Sequence, residues 1–227
     1  MAGCLYGQTG PSSMPDDTDF RWRPALLQST LFTLIEHGAR LAQQGTREEL
    51  RGPFFKDYFT AVRGLGGWDD GDPFIANYIA HPLQGAVSGY IQIQNDPKGM
   101  SQEFGRSREY WKSRLRSMLW STAYSFQFEM GPLSEAAIGN IGKKPGTMAA
   151  VDLVVTPLGG LGWLTGEDAL DRYVIARLEG RYSSLAYRAI LRTMLNPSRA
   201  MANLLRMRAP WHRDTRDGIT RIGKSLD

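Results

Sequence analysis

The stretch PFIANYIAHPLQGAVSGYIQIQN, Pro73 to Asn95, decides how the chain is read. Its 23 residues include no Asp, Glu, Lys or Arg, yet they carry Asn77, His81, Gln84, Gln92 and Gln94. Polar side chains therefore fall where burial is expected, and buried polar groups need partners inside the protein. Asp72 ahead of Pro73 reads as an N-cap followed by the first helical position. Pro82 lacks an N–H and disfavours helical geometry at His81, so this helix is expected to end, kink or restart there. Gly85 and Gly89, four apart, leave a flat face that another backbone can approach.

A second uncharged run, LVVTPLGGLGWLTG at Leu153 to Gly166, is built around Thr156-Pro157 and Gly159-Gly160-Gly162 and ends on Glu167. The pair predicts interrupted helices packed around a shared polar centre.

The rest of the chain reads as helices. Pro24 suits a first turn, and Leu27, Leu31, Leu34, Ile35 and Leu41 follow at helical spacing, predicting an amphipathic helix near residues 24–45. Phe54, Phe55, Tyr58 and Phe59 are expected to bury their rings. Ser107 caps a helix whose apolar stripe is Tyr110, Trp111, Leu115, Met118, Leu119, Ala123 and Phe126, with Lys112, Arg114 and Arg116 outside it. A short helix is expected from Leu133 to Ile141. Another is expected from Glu167 to Leu178, with Glu167, Asp168 and Asp171 favoured by the macrodipole at its start. Ser183 or Ser184 caps the next, and Asn196-Pro197 starts the last. Val151 to Val155 has strand-like composition but no pairing strand nearby, so helix is preferred. The fold class is all-α: a compact bundle of six to eight helices, several short or interrupted at Pro and Gly. Residues 1–22 read as a flexible tether, 23–212 as a single helical domain, and 213–227 as a basic flexible tail.

At 227 residues and 42% hydrophobic content the chain is large enough for a packed core. No run of about 18 apolar residues exists, and the polar side chains of 73–95 make it a costly span, leaving a re-entrant or interface-lying segment open. From Arg181 onward ten Lys or Arg stand against three Asp, in a chain of net charge +4. Anionic lipid would reward that charge; no nucleic-acid module accompanies it, and nucleic acid is not an expected partner. A solvated helical face is the plainer reading.

Cys4 is the only cysteine, so neither an internal disulfide nor a Cys-rich metal site can form. Met1-Ala2-Gly3-Cys4 looks like the end of a bacterial lipobox, which makes Cys4 a lipidation candidate if the native start lies upstream; without that, it is a chance match.

His81, Glu129, Glu135, Asp152 and Glu167 each lie in or beside an apolar, glycine-rich segment. A histidine oriented by a buried carboxylate is the minimum for general acid–base catalysis, so His81, Glu129, Asp152 and Glu167 are the catalytic candidates. Ser134 or Thr156 could complete a nucleophilic set, although Gly-x-Ser-x-Gly is absent. The carboxylates with His81 could instead hold a divalent metal through oxygen and one nitrogen, but no His-x3-His or Glu-x2-His spacing supports this, and neither metal nor cofactor is expected. The plainer reading is structural: Asn77, His81 and Thr156 bind backbone groups freed by Pro82 and Pro157, and the carboxylates accept from them.

From Asn77 to Asp171 the chain resembles an uncharacterised bacterial domain family, a domain of unknown function carried by envelope proteins. The resemblance rests on an Asn-x3-His-Pro-x2-Gly pattern (Asn77, His81, Pro82, Gly85), an aromatic-Trp-x-Ser helix start (Tyr110, Trp111, Ser113) and an aromatic-Glu pair (Phe128, Glu129). It closes on Asp152, Thr156, Gly159-Gly160 and Gly166-Glu167. It implies an envelope setting and a polar centre, and no activity. The resulting expectation is a non-enzymatic envelope protein, on the periplasmic side or membrane-associated, with a His81-centred network used for packing or for binding a lipid or an envelope partner. If Met1 is the true start, the expected location is cytoplasmic. The alternative is a hydrolase with His81 as general base and Glu129 or Asp152 orienting it.

Overall fold

The computed structural model describes residues 19–42, 44–138, 150–182 and 184–216, without the side chains at 45 and 49. Cys4, the 142–146 turn and residues 217–227 lie outside the described residues. Those described are all-helical, in 9 continuous units and without a strand. The segments are α1 (Trp22–Leu41), α2 (Gln44–Glu49), α3 (Phe54–Arg63), α4 (His81–Asn95), α5 (Pro97–Met100), α6 (Arg108–Met130), α7 (Ala150–Leu170), α8 (Ala176–Arg181), α9 (Leu185–Met194) and α10 (Pro197–Leu205). π-helical turns at Ala76–Ala80 and Asp171–Ile175 lead into α4 and join α7 to α8.

Local caps set the starts. Ser107 accepts from Tyr110 N–H ahead of α6, Ser184 accepts from Tyr187 N–H ahead of α9, and Pro197 opens α10. The expected breaks are milder than the sequence implies. At His81-Pro82 the helix continues, because Pro82 sits in the first turn of α4 and the preceding π turn absorbs the mismatch. Pro157 lies inside an unbroken α7. Glu167, Asp168 and Asp171 are therefore not at a helix start. The helix expected from Leu133 is a series of turns over 131–138.

α4 is the spine, packed most extensively against α7, then α6, α10 and α1. At the α4–α7 crossing a Cβ on Gly85 would lie 1.9 Å from the Thr156 carbonyl oxygen, so the two backbones touch. Gly89, by contrast, faces side chains, Leu164 and Ser117. The Arg21 N–H donates to Asn95 O at 2.9 Å and Gln84 Nε2 donates to Glu36, so α1 runs antiparallel to α4.

Much of the apolar stripe expected inside on α1, α3 and α6 faces outward, although Tyr110 and the partly buried Leu31 lie inward and Lys112 and Arg116 outward as expected. On α1, Gln28, Thr33 and His37 are buried, while Leu26, Leu27, Leu34, Ile35 and Leu41 are exposed. On α6, Ser113, Arg114, Ser117, Ser121, Ser125 and Glu129 point inward, and Trp111, Leu115, Leu119 and Phe126 point outward. Arg114, placed on the solvent side by the sequence reading, is 1% exposed; Phe55, read as core, is 74% exposed. Part of the reason is pairing: Gln28 meets Asn95 on α4, Arg114 and Ser125 meet Asp168 and the Asp152 carbonyl on α7, and Thr33 donates to Tyr124 on α6.

At the α7–α10 end the pairing is ionic. Asp168 accepts from Tyr90 Oη (2.9 Å), Tyr110 Oη (3.0 Å), Arg114 Nε (2.8 Å) and Arg199. Asp171 faces Arg199, Arg213 and Arg216, and Glu179 faces Arg192 and Arg216. Arg213, which the sequence reading put in the loose tail, is buried here. Much of the C-terminal positive charge is thus engaged by internal carboxylates. Removing one member of such a buried pair costs about 3–5 kcal/mol, because the other is left uncompensated.

Candidate functional site

The opposite end of α4 holds the His81 centre, and four helical elements build it. The π turn carries Asn77 and delivers His81 at the first position of α4, α6 brings Glu129 at its last turn, and α7 brings Asp152 and Thr156 one turn apart. His81 Nδ1 lies 3.2 Å from Thr156 Oγ1, and His81 Nε2 lies 3.3 Å from Asp152 Oδ1. One donor atom each from His81, Glu129 and Asp152 fall within 4.8 Å of one another. Three of the four expected catalytic candidates therefore converge, with Thr156 behind the imidazole.

The remaining expected residues separate. The side-chain hydrogen bond of Asn77 goes to Asp70 and not to His81: its Nδ2 donates to Asp70 Oδ1 at 2.8 Å. Glu167 belongs to another site. Its carboxylate accepts from Trp163 Nε1 and from the N–H groups of Ser198 and Arg199 at 2.9 and 3.2 Å, so it caps the start of α10. The macrodipole argument holds for Glu167, but the helix it serves is α10, not its own. Ser134 is fully buried and accepts from Ala137 N–H in the turn after α6, which removes it as a nucleophile. Glu135 pairs with Arg40 at 3.2 Å and lies 3.6 Å from His37 Nδ1.

Two residues of the site had no part in the sequence reading. Asp70, from the Gly64–Asp72 loop, lies beside Asp152 and receives a hydrogen bond from its carboxyl; the Asp70 carboxylate is held below its usual range by this and by the Asp72 and Asn77 donors. Glu36, on α1, accepts from Tyr124 Oη at 2.7 Å and from Gln84 Nε2 at 3.2 Å. A polar stripe of Gln28, Thr33 and Glu36 at helical spacing is the signal that finds Glu36; nothing local marks Asp70.

Burial dominates the electrostatics. Desolvation pushes Asp152 up to about 8, with the neighbouring Asp70 charge adding to the effect. It also drives Glu129 well above the carboxylate range and Glu36 to about 7. The same desolvation lowers His81, so its imidazole is neutral at neutral pH. The centre is open on one side. A cleft of ≈ 380 Å³ lined by Glu36, Arg40, Asp72, Ala76, Gln84 and Phe128 reaches the His81 ring. A neutral imidazole with its second nitrogen anchored, beside two carboxyl groups and under an open cleft, can accept a proton, donate one through Asp152, or ligate a cation.

No family model, no curated protein and no solved structure matches the chain.

Proposed function

We propose that the protein is a membrane-associated component of the bacterial envelope that seats its apolar exterior against lipid and keeps its polar residues for the helix–helix contacts within. The outward-facing apolar stripe of α1 and α6 carries this reading. In water, apolar surface is driven inward at about 25 cal/mol per Å², so a large exposed apolar area calls for a cover. Leu26, Leu27, Leu34 and Ile35 on α1 and Leu115, Leu119 and Phe126 on α6 form that area. Between the two helices a groove of ≈ 380 Å³, lined by Trp22, Leu26, Trp120, Ala123 and Leu133, has the dimensions and apolar walls for an acyl chain. Exposed Arg21, Arg23, Arg108 and Lys112 sit at the starts of the same helices, where phosphate headgroups would meet them. No described helix is long and apolar enough to cross a membrane, so association along the surface is the form proposed. The envelope setting follows the resemblance of the Asn77–Asp171 segment and the Cys4 context.

The test is flotation of the full chain with vesicles of phosphatidylethanolamine and phosphatidylglycerol. The wild type is expected to float, and the double variant Leu119→Asp, Phe126→Asp to lose at least tenfold in vesicle partitioning with an unchanged circular dichroism spectrum. A monomeric wild type without vesicle affinity would overturn the reading; self-association without vesicle affinity would replace lipid by a second copy as the cover.

The cleft over the imidazole favours a second reading, a hydrolase with His81 as general base and Asp152 as its carboxylate partner. Thr156 is fully buried, so water is the nucleophile in that case. His81→Ala with an intact melting curve and abolished hydrolysis of a model ester or phosphoester would support it; a lowered melting temperature with no activity to lose would leave the packing role.

A further inference from the structure

We infer that the His81 centre binds one first-row divalent cation, held by His81 Nε2 and the carboxylates of Glu129 and Asp152, with Thr156 as the positioning residue for the imidazole. The inference stands apart from the lipid reading. It holds or fails in detergent and vesicles alike.

The absence of His-x3-His or Glu-x2-His spacing bears only on ligands that share a helix. These three come from α4, α6 and α7, and their donor atoms lie within 4.8 Å of one another. A cation bound at about 2.0–2.2 Å to each would draw the donors to roughly 3–4 Å apart, a change that side-chain rotation supplies. The donor set is one nitrogen and two carboxylates, which suits Zn²⁺ or Mn²⁺ better than the all-oxygen preference of Ca²⁺.

A second observation points into the same space. Asp152 is 7% exposed, and its Oδ1 has no hydrogen-bond partner although it stands 3.3 Å from His81 Nε2. The contact between Thr156 Oγ1 and Nδ1 admits the tautomer that produces this. With the Nδ1–H donated to the threonine hydroxyl, Nε2 presents a lone pair to Asp152 Oδ1, and two electron-rich atoms then face each other with nothing positive between them. That arrangement is the usual preparation of a histidine ligand, whose other ring nitrogen is fixed by a second group. The surrounding charge has the same sign. Asp70, Asp72 and Glu135 act on the carboxylates, and Arg40, the cation acting on Glu129, is paired with Glu135. The cleft reaches the site at His81, the one ligand that lines it.

The experiment is calorimetric titration of the full chain, stripped with EDTA, using Mn²⁺ and Zn²⁺ separately, with melting temperature followed in parallel. The wild type is expected to bind one equivalent of at least one of them and to gain melting temperature with metal. Asp152→Asn and Glu129→Gln each remove a buried acid without changing its size, so both should fold. Both are expected to lose more than 100-fold in affinity and to lose the metal-dependent shift. Thr156→Val is expected to lose about 10–100-fold, the range found for groups that orient a ligand. His212→Ala removes the only other histidine–aspartate pair near the surface among the described residues, and is expected to bind as the wild type does. No saturable binding up to millimolar metal, or equal binding by Asp152→Asn and the wild type, would overturn the inference.

Discussion

Gly85 and Gly160 meet backbone to backbone, and a Cβ on Gly160 would stand 2.6 Å from the Gly85 carbonyl carbon. Neither neighbour is a flexible side-chain end, so the helices themselves must part to admit a methyl group. Gly85→Ala and Gly160→Ala are each expected to cost about 3 kcal/mol or more, the upper range for overpacking. Gly162, two residues on, has open space around its Cβ position. Gly162→Ala is therefore expected to stabilise by about 0.5–1 kcal/mol through helix propensity. Denaturant titration of the three variants gives the comparison.

Glu167 ties the last turn of α7 to the first turn of α10. Its burial raises its pKa, and the Ser198 and Arg199 N–H donors pull it back. Glu167→Ala leaves those donors buried and unpaired, at an expected cost of about 2–3 kcal/mol. The loss should concentrate where the acceptor was. Hydrogen exchange at Ser198 and Arg199 is expected to accelerate more than exchange in α4 or α6, and uniform acceleration throughout the chain would contradict this assignment.

Glu36 gives the stability a pH dependence of known sign. Its pKa rises from 4.5 unfolded to about 7 folded, so the folded chain binds the extra proton between those values. Its contribution is fully present below about 4.5 and is lost as pH rises through about 7, with a slope of at most about 1.4 kcal/mol per pH unit. His37, also raised in the fold, adds a fall of the same sign, so the difference between wild type and Glu36→Gln isolates the glutamate. Denaturation midpoints in EDTA should fall from pH 5 to pH 8 for the wild type, and less steeply for Glu36→Gln. A wild-type slope that survives the substitution intact would remove Glu36 as its source.

Helix class and most starts were legible because their causes are local. Ser107, Ser184 and the Asn196-Pro197 pair act on the two or three residues beside them, and the uncharged run is buried as its composition implies from Pro82 to Asn95, while its first part, with Phe74 and Ile75, is exposed. The site was legible for a related reason: His81, Glu129, Asp152 and Thr156 are polar in apolar runs, wherever their partners come from. Facing was not legible. An apolar stripe shows which side of a helix is apolar, and assigning it to the interior assumes water outside. Leu27, Leu34 and Phe126 point outward because Gln28, Thr33 and Ser125 have partners inward, and those partners lie far away in sequence: Tyr124 and Thr33 are 91 residues apart. Asp70 was illegible for the same distance reason, since a loop aspartate next to glycines reads as a turn until Asp152 is placed beside it.

The π turn at Ala76–Ala80 carries one residue more than an α-turn would use. It has the geometry of a one-residue insertion into an α-helix, directly upstream of the packed α4. Deleting a single residue there would restore the ordinary ladder and swing everything upstream by about 100° around the axis, carrying Asp70 away from Asp152 while His81 stayed in place. At this position chain length, and not side-chain identity, aligns the loop with the polar centre, so a deletion in Ala76–Ala80 would do damage that no substitution could repair.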